Sequence, residues 1–233
     1  MKKLSKILIL VLSLAIICGT LVMVANADAA DGYDLTASLA NATADETGTK
    51  TVALTGNATL ETQYVVKENL VIDLNGYTFT SRLDTAFVVN DNVNFSIVGK
   101  GNIVLDGILV KSNDAEVNPT VILGGEGSSI NVTHSGYVNM RIVSVLSGTY
   151  NFSNLKVVSN AAVTNAKYNA LFETVHSTAG KVDMTFDNVD LKLTEKPNNL
   201  FFLVSVAGKE SHLTMKNSAF ASQGSGFFIG ELA

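Results

Sequence analysis

Three aspartates, Asp183, Asp187 and Asp190, fall within eight residues of "VDMTFDNVDLKL". Clustered carboxylates are what a Ca²⁺ site needs, because calcium takes six or more oxygen ligands converging on one point. The local pattern argues against convergence. Asp183 alternates with the apolar Val182 and Met184, so on a strand it points away from them. Asp187 sits at a turn beside Asn188, and Asp190 lies on the run that follows, so the three should face different sides. Asp73 and Asp106 take outward positions in earlier segments, and all five read as solvated strand or turn residues. His134, His176 and His212 lie far apart, without metal-ligand spacing. No metal site and no cofactor are expected from these residues.

One set of groups could bring a base, an acid and an imidazole together. Arg141 opens "RIVSVLSG", and Glu173 and His176 lie in "LFETVHS". If these runs are neighbouring parallel strands, roughly 4.8 Å apart, Arg141 approaches Glu173. Arg141, Glu173 and His176 are therefore the candidate catalytic residues, although an Arg–Glu pair on adjacent strands also reads as a surface ion pair of small energy. The sequence holds no nucleophile elbow, P-loop or dinucleotide fingerprint. Gly124-Gly125-Glu126-Gly127 is glycine-rich, but no helical pattern follows it, so it reads as a turn. Tyrosines could stack on sugars. Of Tyr64, Tyr77, Tyr137 and Tyr168, alternation turns Tyr77 inward, which leaves Tyr168, in the long loop "NAAVTNAKYNA", and Tyr137 as candidate ligand-binding residues.

The elements that must position these groups are short strands. Val, Thr, Asn, Gly and Ser dominate, tryptophan is absent, and there are two prolines, Pro119 and Pro197. β-branched residues interleaved with Asn and Gly imply many strands and many turns. "LVIDLNGYTFT" has the form of a hairpin, with Asn75-Gly76 between two alternating apolar runs. Similar units recur, however. Taking Ile72, Ile97, Val132, Phe152, Met184 and Met215 as equivalent gives spacings of 25, 35, 20, 32 and 31 residues. A third apolar run belongs to each unit, in the series "TAFVVND", "TVILGGEG", "RIVSVLSG", "LFETVHSTAG", "LFFLVSVAG" and "GFFIGELA". Three strands per repeat of 20 to 35 residues describe a solenoid, in which each strand pairs in parallel with its equivalent one turn away. Asn75-Gly76 is then a corner between two sheets. Asn154, Asn188 and Asn217 take the same place, because asparagine tolerates left-handed backbone and can bond local backbone groups.

The N-terminus has a different character. Met1 to Lys6 carries three lysines, Ile7 to Val24 is almost wholly apolar, and Ala25-Asn26-Ala27 follows, as in a secretory signal over 1–27 with its cleavage site. An uncleaved anchor is the rival reading. Cys18 lies inside this segment, so the mature chain has no cysteine and about 205 residues, enough for one self-packed domain. In the segment 28–50, Leu35 and Leu39 stand at i and i+4 behind Asp34, a plausible N-cap, so a short helix is expected to cover the first coil. The β-helix is expected over 51–233. "GSGFFIGELA" starts a strand and ends without a polar cap. The expectation is a truncated solenoid, whose C-terminal edge meets further coils of a longer chain or a partner subunit.

"TVALTGNATL…VVKENLVIDLNGYTFT" (Thr51 to Thr80), with the corner asparagines of "FSNLKV", "FDNVDL" and "MKNSAF", resembles the right-handed parallel β-helix of the pectate-lyase-like superfamily. It looks closest to β-helix domains of exported bacterial surface proteins. The implied fold is all-β: a single-stranded right-handed parallel β-helix, three short strands per coil, with an N-terminal capping helix. The resemblance implies a secreted or cell-surface location and a structural, adhesive or polysaccharide-binding module. The alternative it implies is a polysaccharide lyase or glycoside hydrolase with catalytic coils outside this chain, the lyases using Ca²⁺ and a basic residue. Only Arg82, Arg141 or a lysine could be that base here. A phage or spore structural protein fits the secretory signal poorly. A net charge of −5 and pI of about 5.2 make nucleic acid a poor partner.

Overall fold

The computed structural model describes residues 33–161, 169–175, 180–195, 201–208, 210–222 and 226–229. The segment 1–27, expected to be a secretory signal, and Tyr168, His176 and the last residues, 230–233, lie outside the described residues. Among the described residues no helix is long and apolar enough to cross a membrane.

The fold is all-β, with parallel sheets and one short helix. Helix α1 (Leu35–Asn41) begins where Asp34 accepts a hydrogen bond from the amide of Ala37 at 3.1 Å, and its Leu35 and Leu39 are fully buried. A two-residue strand, β1 (Tyr33–Asp34), precedes it.

The remaining strands form three ladders. The first holds β2 (Thr49–Ala53), β5 (Asn69–Asp73), β8 (Asn94–Val98), β11 (Thr120–Gly124), the front of β14 (Gly148–Ser159), the front of β16 (Val182–Leu193) and β18 (His212–Lys216). The second holds β1, β3 (Ala58–Thr59), β6 (Thr78–Ser81), β9 (Lys100–Leu105), β12 (Ser129–His134), the backs of β14 and β16, and β19 (Ala219–Ala221). The third holds β4 (Tyr64–Val66), β7 (Thr85–Val89), β10 (Ile108–Lys111), β13 (Val143–Val145), β15 (Asn169–Thr174), β17 (Phe201–Val206) and β20 (Gly226–Ile229). Every pairing named here is parallel, and from β2 onward the chain visits the ladders in the same order, pass after pass.

Two expectations are corrected by this register. The position equivalent to Ile97 is Leu123, not Val132, and the position equivalent to Phe152 is Phe186, two residues past Met184. "TVILGG" is a first-ladder strand, and the missing third strand is "ILVK", Ile108–Lys111. The reason is that Gly124, Gly125 and Gly127 do at this corner what asparagine does elsewhere. Their φ values of 91°, 115° and 74° turn the chain between β11 and β12. Secondly, the asparagine corner is a bend within one sheet. Strands β5 and β6 do not pair with each other, but β14 and β16 run through Asn154 and Asn188 and join the first two ladders into a single 13-stranded sheet. At Asn154 and Asn188 one left-handed residue bends the strand without ending it, whereas at Asn75-Gly76 and at Asn217 the strand is interrupted.

Alternation fills the interior. Leu70, Ile72, Leu74 and Phe79 are all buried, Tyr77 is half-buried against the same core, and similar rows follow in every pass. Rings stack through the centre: Phe79, Phe87 and Phe95 stand 5.7 and 4.8 Å apart in sequence, and Phe152, Phe172 and Phe186 about 5 Å from one another. At the β18–β20 end the inward row is less covered. Met215 and Phe227 are exposed, and Leu213 and Phe220 are half-buried.

Candidate functional site

The loop 135–142 connects β12 to β13, and its position is set by residues distant in sequence. Strand β12 alternates Ile130, Val132 and His134 inward, and His134 is fully buried. Its Nε2 lies 2.9 Å from the carbonyl of Asn139, and its Nδ1 lies 3.0 Å from Ser159 Oγ. A carbonyl only accepts, so Nε2 carries the proton and Nδ1 accepts from the serine hydroxyl. Burial pushes the His134 imidazole down to about 4, against smaller upward pulls from the Asn139 carbonyl and the charge of Asp106. His134 is therefore neutral near pH 7 and holds the loop as a hydrogen-bonded strut.

Asp106 is the second anchor. Its backbone carbonyl accepts from the amides of Val138 and Asn139 at 2.9 and 3.1 Å, and its carboxylate accepts from Ser135 Oγ at 2.8 Å and from Arg82 at 3.3 Å. Asn139 donates to Asp84 at 3.0 Å and accepts from the amide of Arg141 at 3.2 Å. Gly136, at φ 65°, leaves room that a Cβ would take from Ala161. Out of this pinned loop Tyr137 projects with 90% of its surface exposed, beside the half-exposed Val138. The exposed guanidinium of Arg82 belongs to the same hydrogen-bonded cluster.

Arg141 and Glu173 are brought together. Arg141 Nε donates to Glu173 Oε2 at 3.0 Å, and the same oxygen accepts from the amide of Ala170 at 3.1 Å. Arg141 lies just ahead of β13 rather than on it, and the pair is no exposed surface bridge, because the Glu173 side chain is only 5% exposed. A carboxylate sealed under a guanidinium and a backbone amide clamps β15 to the loop.

The other named residues are dispersed. Asp183 faces outward and bonds His212 at 2.8 Å and Lys181 at 3.3 Å. Burial works to raise its carboxyl, but these partners outweigh burial and hold it below its ordinary value. Asp187 accepts from Asn217 at 3.1 Å, and Asp190 is exposed on the second ladder. Asp73 caps its own corner by accepting from the amide of Asn75. Tyr64 packs edge-on to Phe87. Among the described residues no three His, Cys, Asp or Glu side chains gather as metal ligands would.

The corner asparagines form a ladder. Asn75, Asn154, Asn188 and Asn217 all have φ between 48° and 57°. Each sends its amide toward the preceding pass: Asn75 to the Leu54 carbonyl at 3.0 Å, Asn154 to the Gly125 carbonyl at 2.6 Å, Asn188 to Asn154 at 2.7 Å, and Asn217 to Asp187. Sequence reading missed a second set. Asn69, Asn90 and Asn92 accept from the amides of Asn94, Asn113 and Asn118 one pass later, at 2.8, 2.9 and 2.6 Å. It also missed the anchoring roles of His134, Asp106 and Asn139. The available signal was a histidine in an inward slot of "SINVTHS", directly before a glycine-containing loop. Compared with protein-family models, with curated proteins and with solved structures, the chain matches none.

Proposed function

We propose that this chain is a secreted or cell-surface right-handed parallel β-helix of pectate-lyase-like type, a module that binds polysaccharide through the loop 135–142. Three parallel ladders visited in constant order, joined by a repeated asparagine corner, support the β-helix. Right-handed crossover is the strong rule for parallel connections. The observation that carries the binding role is Tyr137, a large apolar ring 90% exposed on a loop tied by hydrogen bonds to His134, Asp106 and Asp84. Exposing such a ring has a solvation cost, and an anchored loop lets it meet a sugar ring with little further loss of entropy. Arg82 and Asp106 offer a donor and acceptors beside it.

Pull-down of the mature chain with a panel of insoluble and soluble polysaccharides tests this. Tyr137→Ala should weaken retention at least tenfold while leaving the unfolding midpoint unchanged, since an exposed side chain contributes within about 0.5 kcal/mol to stability. Equal retention by wild type and variant would remove the role assigned to the loop. Incubation with acidic glycans and Ca²⁺ is the second arm, and new absorbance from unsaturated products would make the protein a lyase.

A further inference from the structure

A second polar surface lies at the asparagine corner, away from the loop 135–142. Here an open groove of about 490 Å³ runs across successive passes. One wall is the ladder of Asn154, Asn188 and Asn217. The other is an outward row that the register sets in line, Asn131 beside Lys156, Lys156 beside Asp190, and Asp190 beside Ala219. Three steps of parallel-strand spacing make this row roughly 14 Å long. The volume is within the range of ligand-binding clefts.

The donors and acceptors of this row are largely unspent. Asn131 donates to Asn102 at 3.2 Å, which leaves its carbonyl oxygen for another partner. Lys156 and Asp190 are strand neighbours, yet no ion pair joins them. Ala219 ends the row with a methyl group. The lining carries one cation and one anion and no aromatic ring. A strip of amides, ammonium and carboxylate without net charge matches an extended chain of hydroxyl groups. Its lining mixes polar groups with the apolar Ile130, Leu155 and Val189, as the alternating faces of a sugar chain require, and it offers no net charge to an acidic polymer.

We propose that this groove binds a neutral linear polysaccharide along the row Asn131–Lys156–Asp190, as a site separate from Tyr137. The ammonium of Lys156 donates to sugar hydroxyls, while Asp190 and the free oxygen of Asn131 accept from them.

Native affinity electrophoresis of the mature chain tests it, with a soluble neutral β-glucan, a soluble mannan and polygalacturonate in separate gels. Retardation by a neutral polymer is expected, with little dependence on salt. Lys156→Ala with Asp190→Ala should reduce the affinity at least tenfold. Ala219→Trp, which fills the groove without altering charge, should do the same. All three positions are exposed, and circular dichroism with an unfolding curve checks that the variants fold. No retardation by either neutral polymer, retardation by polygalacturonate alone, or unchanged affinity in both variants would overturn the proposal. Loss of binding in Tyr137→Ala with none in the groove variants would leave the loop reading standing and remove this one.

Discussion

His134 makes the stability of this protein sensitive to acid, and the size of the effect follows from its burial. The imidazole titrates at 6.5 in an unfolded chain and at about 4 in the fold. Its folded value is depressed, so the unfolded state binds the proton first as pH falls. The stabilisation is complete above pH 6.5, declines between 6.5 and about 4, and is gone below that. At 1.36 kcal/mol per unit, the total is about 3 kcal/mol. The assay is urea unfolding of the protein at pH 7 and at pH 4.5, for wild type and His134→Gln. The variant is less stable at neutral pH, because glutamine replaces the strut imperfectly. It should, however, lose less stability on acidification, by about 2 to 3 kcal/mol, since the titrating group is gone. Other groups that acid weakens, Asp183 among them, are present in both proteins and drop out of the difference. Two results would refute the reasoning: equal acid sensitivity in wild type and variant, or an NMR titration of folded His134 with its midpoint near 6.5.

Three further outcomes are expected. Asn188→Ala should cost about 1 to 2 kcal/mol in urea unfolding, from the lost bond to Asn154 and from alanine's poorer tolerance of left-handed backbone at φ 57°, and Asn188→Gly should cost less, because glycine accepts that backbone freely. Arg141→Met should destabilise by on the order of 3 kcal/mol by leaving the Glu173 carboxylate buried without its cation, and adding Glu173→Gln should recover part of the loss. Replacing Met215 and Phe227 by lysine should reduce any self-association seen in analytical ultracentrifugation, because both present large apolar side chains to solvent.

How far the architecture could be read from the sequence depended on the range of each interaction. The N-capped helix at Asp34 and the left-handed corners at Asn75, Asn154, Asn188 and Asn217 were legible, because both rest on preferences of single residues and their nearest neighbours. The inward and outward faces of "LVIDLNGYTFT" were legible for the same reason: a period of two needs only one strand. The register was not. "TVILGG" has the composition of a third-ladder strand, and only its pairing with Asn94–Val98 and with the front of β14 assigns it to the first.

The candidate site lies further from what a sequence determines. That Tyr137 sits in a turn between apolar runs is a property of the sequence. That the turn is anchored is not, because its bonds reach Asp106, 29 residues from Ser135, and Asp84, 55 residues from Asn139. In the same way, the approach of Arg141 to Glu173 could be read from the repeat, but that Arg141 stands ahead of its strand, and that burial turns a surface pair into a clamp, depends on how the chain packs around the third ladder. The sequence by itself determined strands, corners and alternation, since these follow from steric preferences acting over a few residues. The tertiary structure alone decided which strands pair, which polar groups lose water and which ring stays exposed, since each depends on chain segments that become neighbours only by folding.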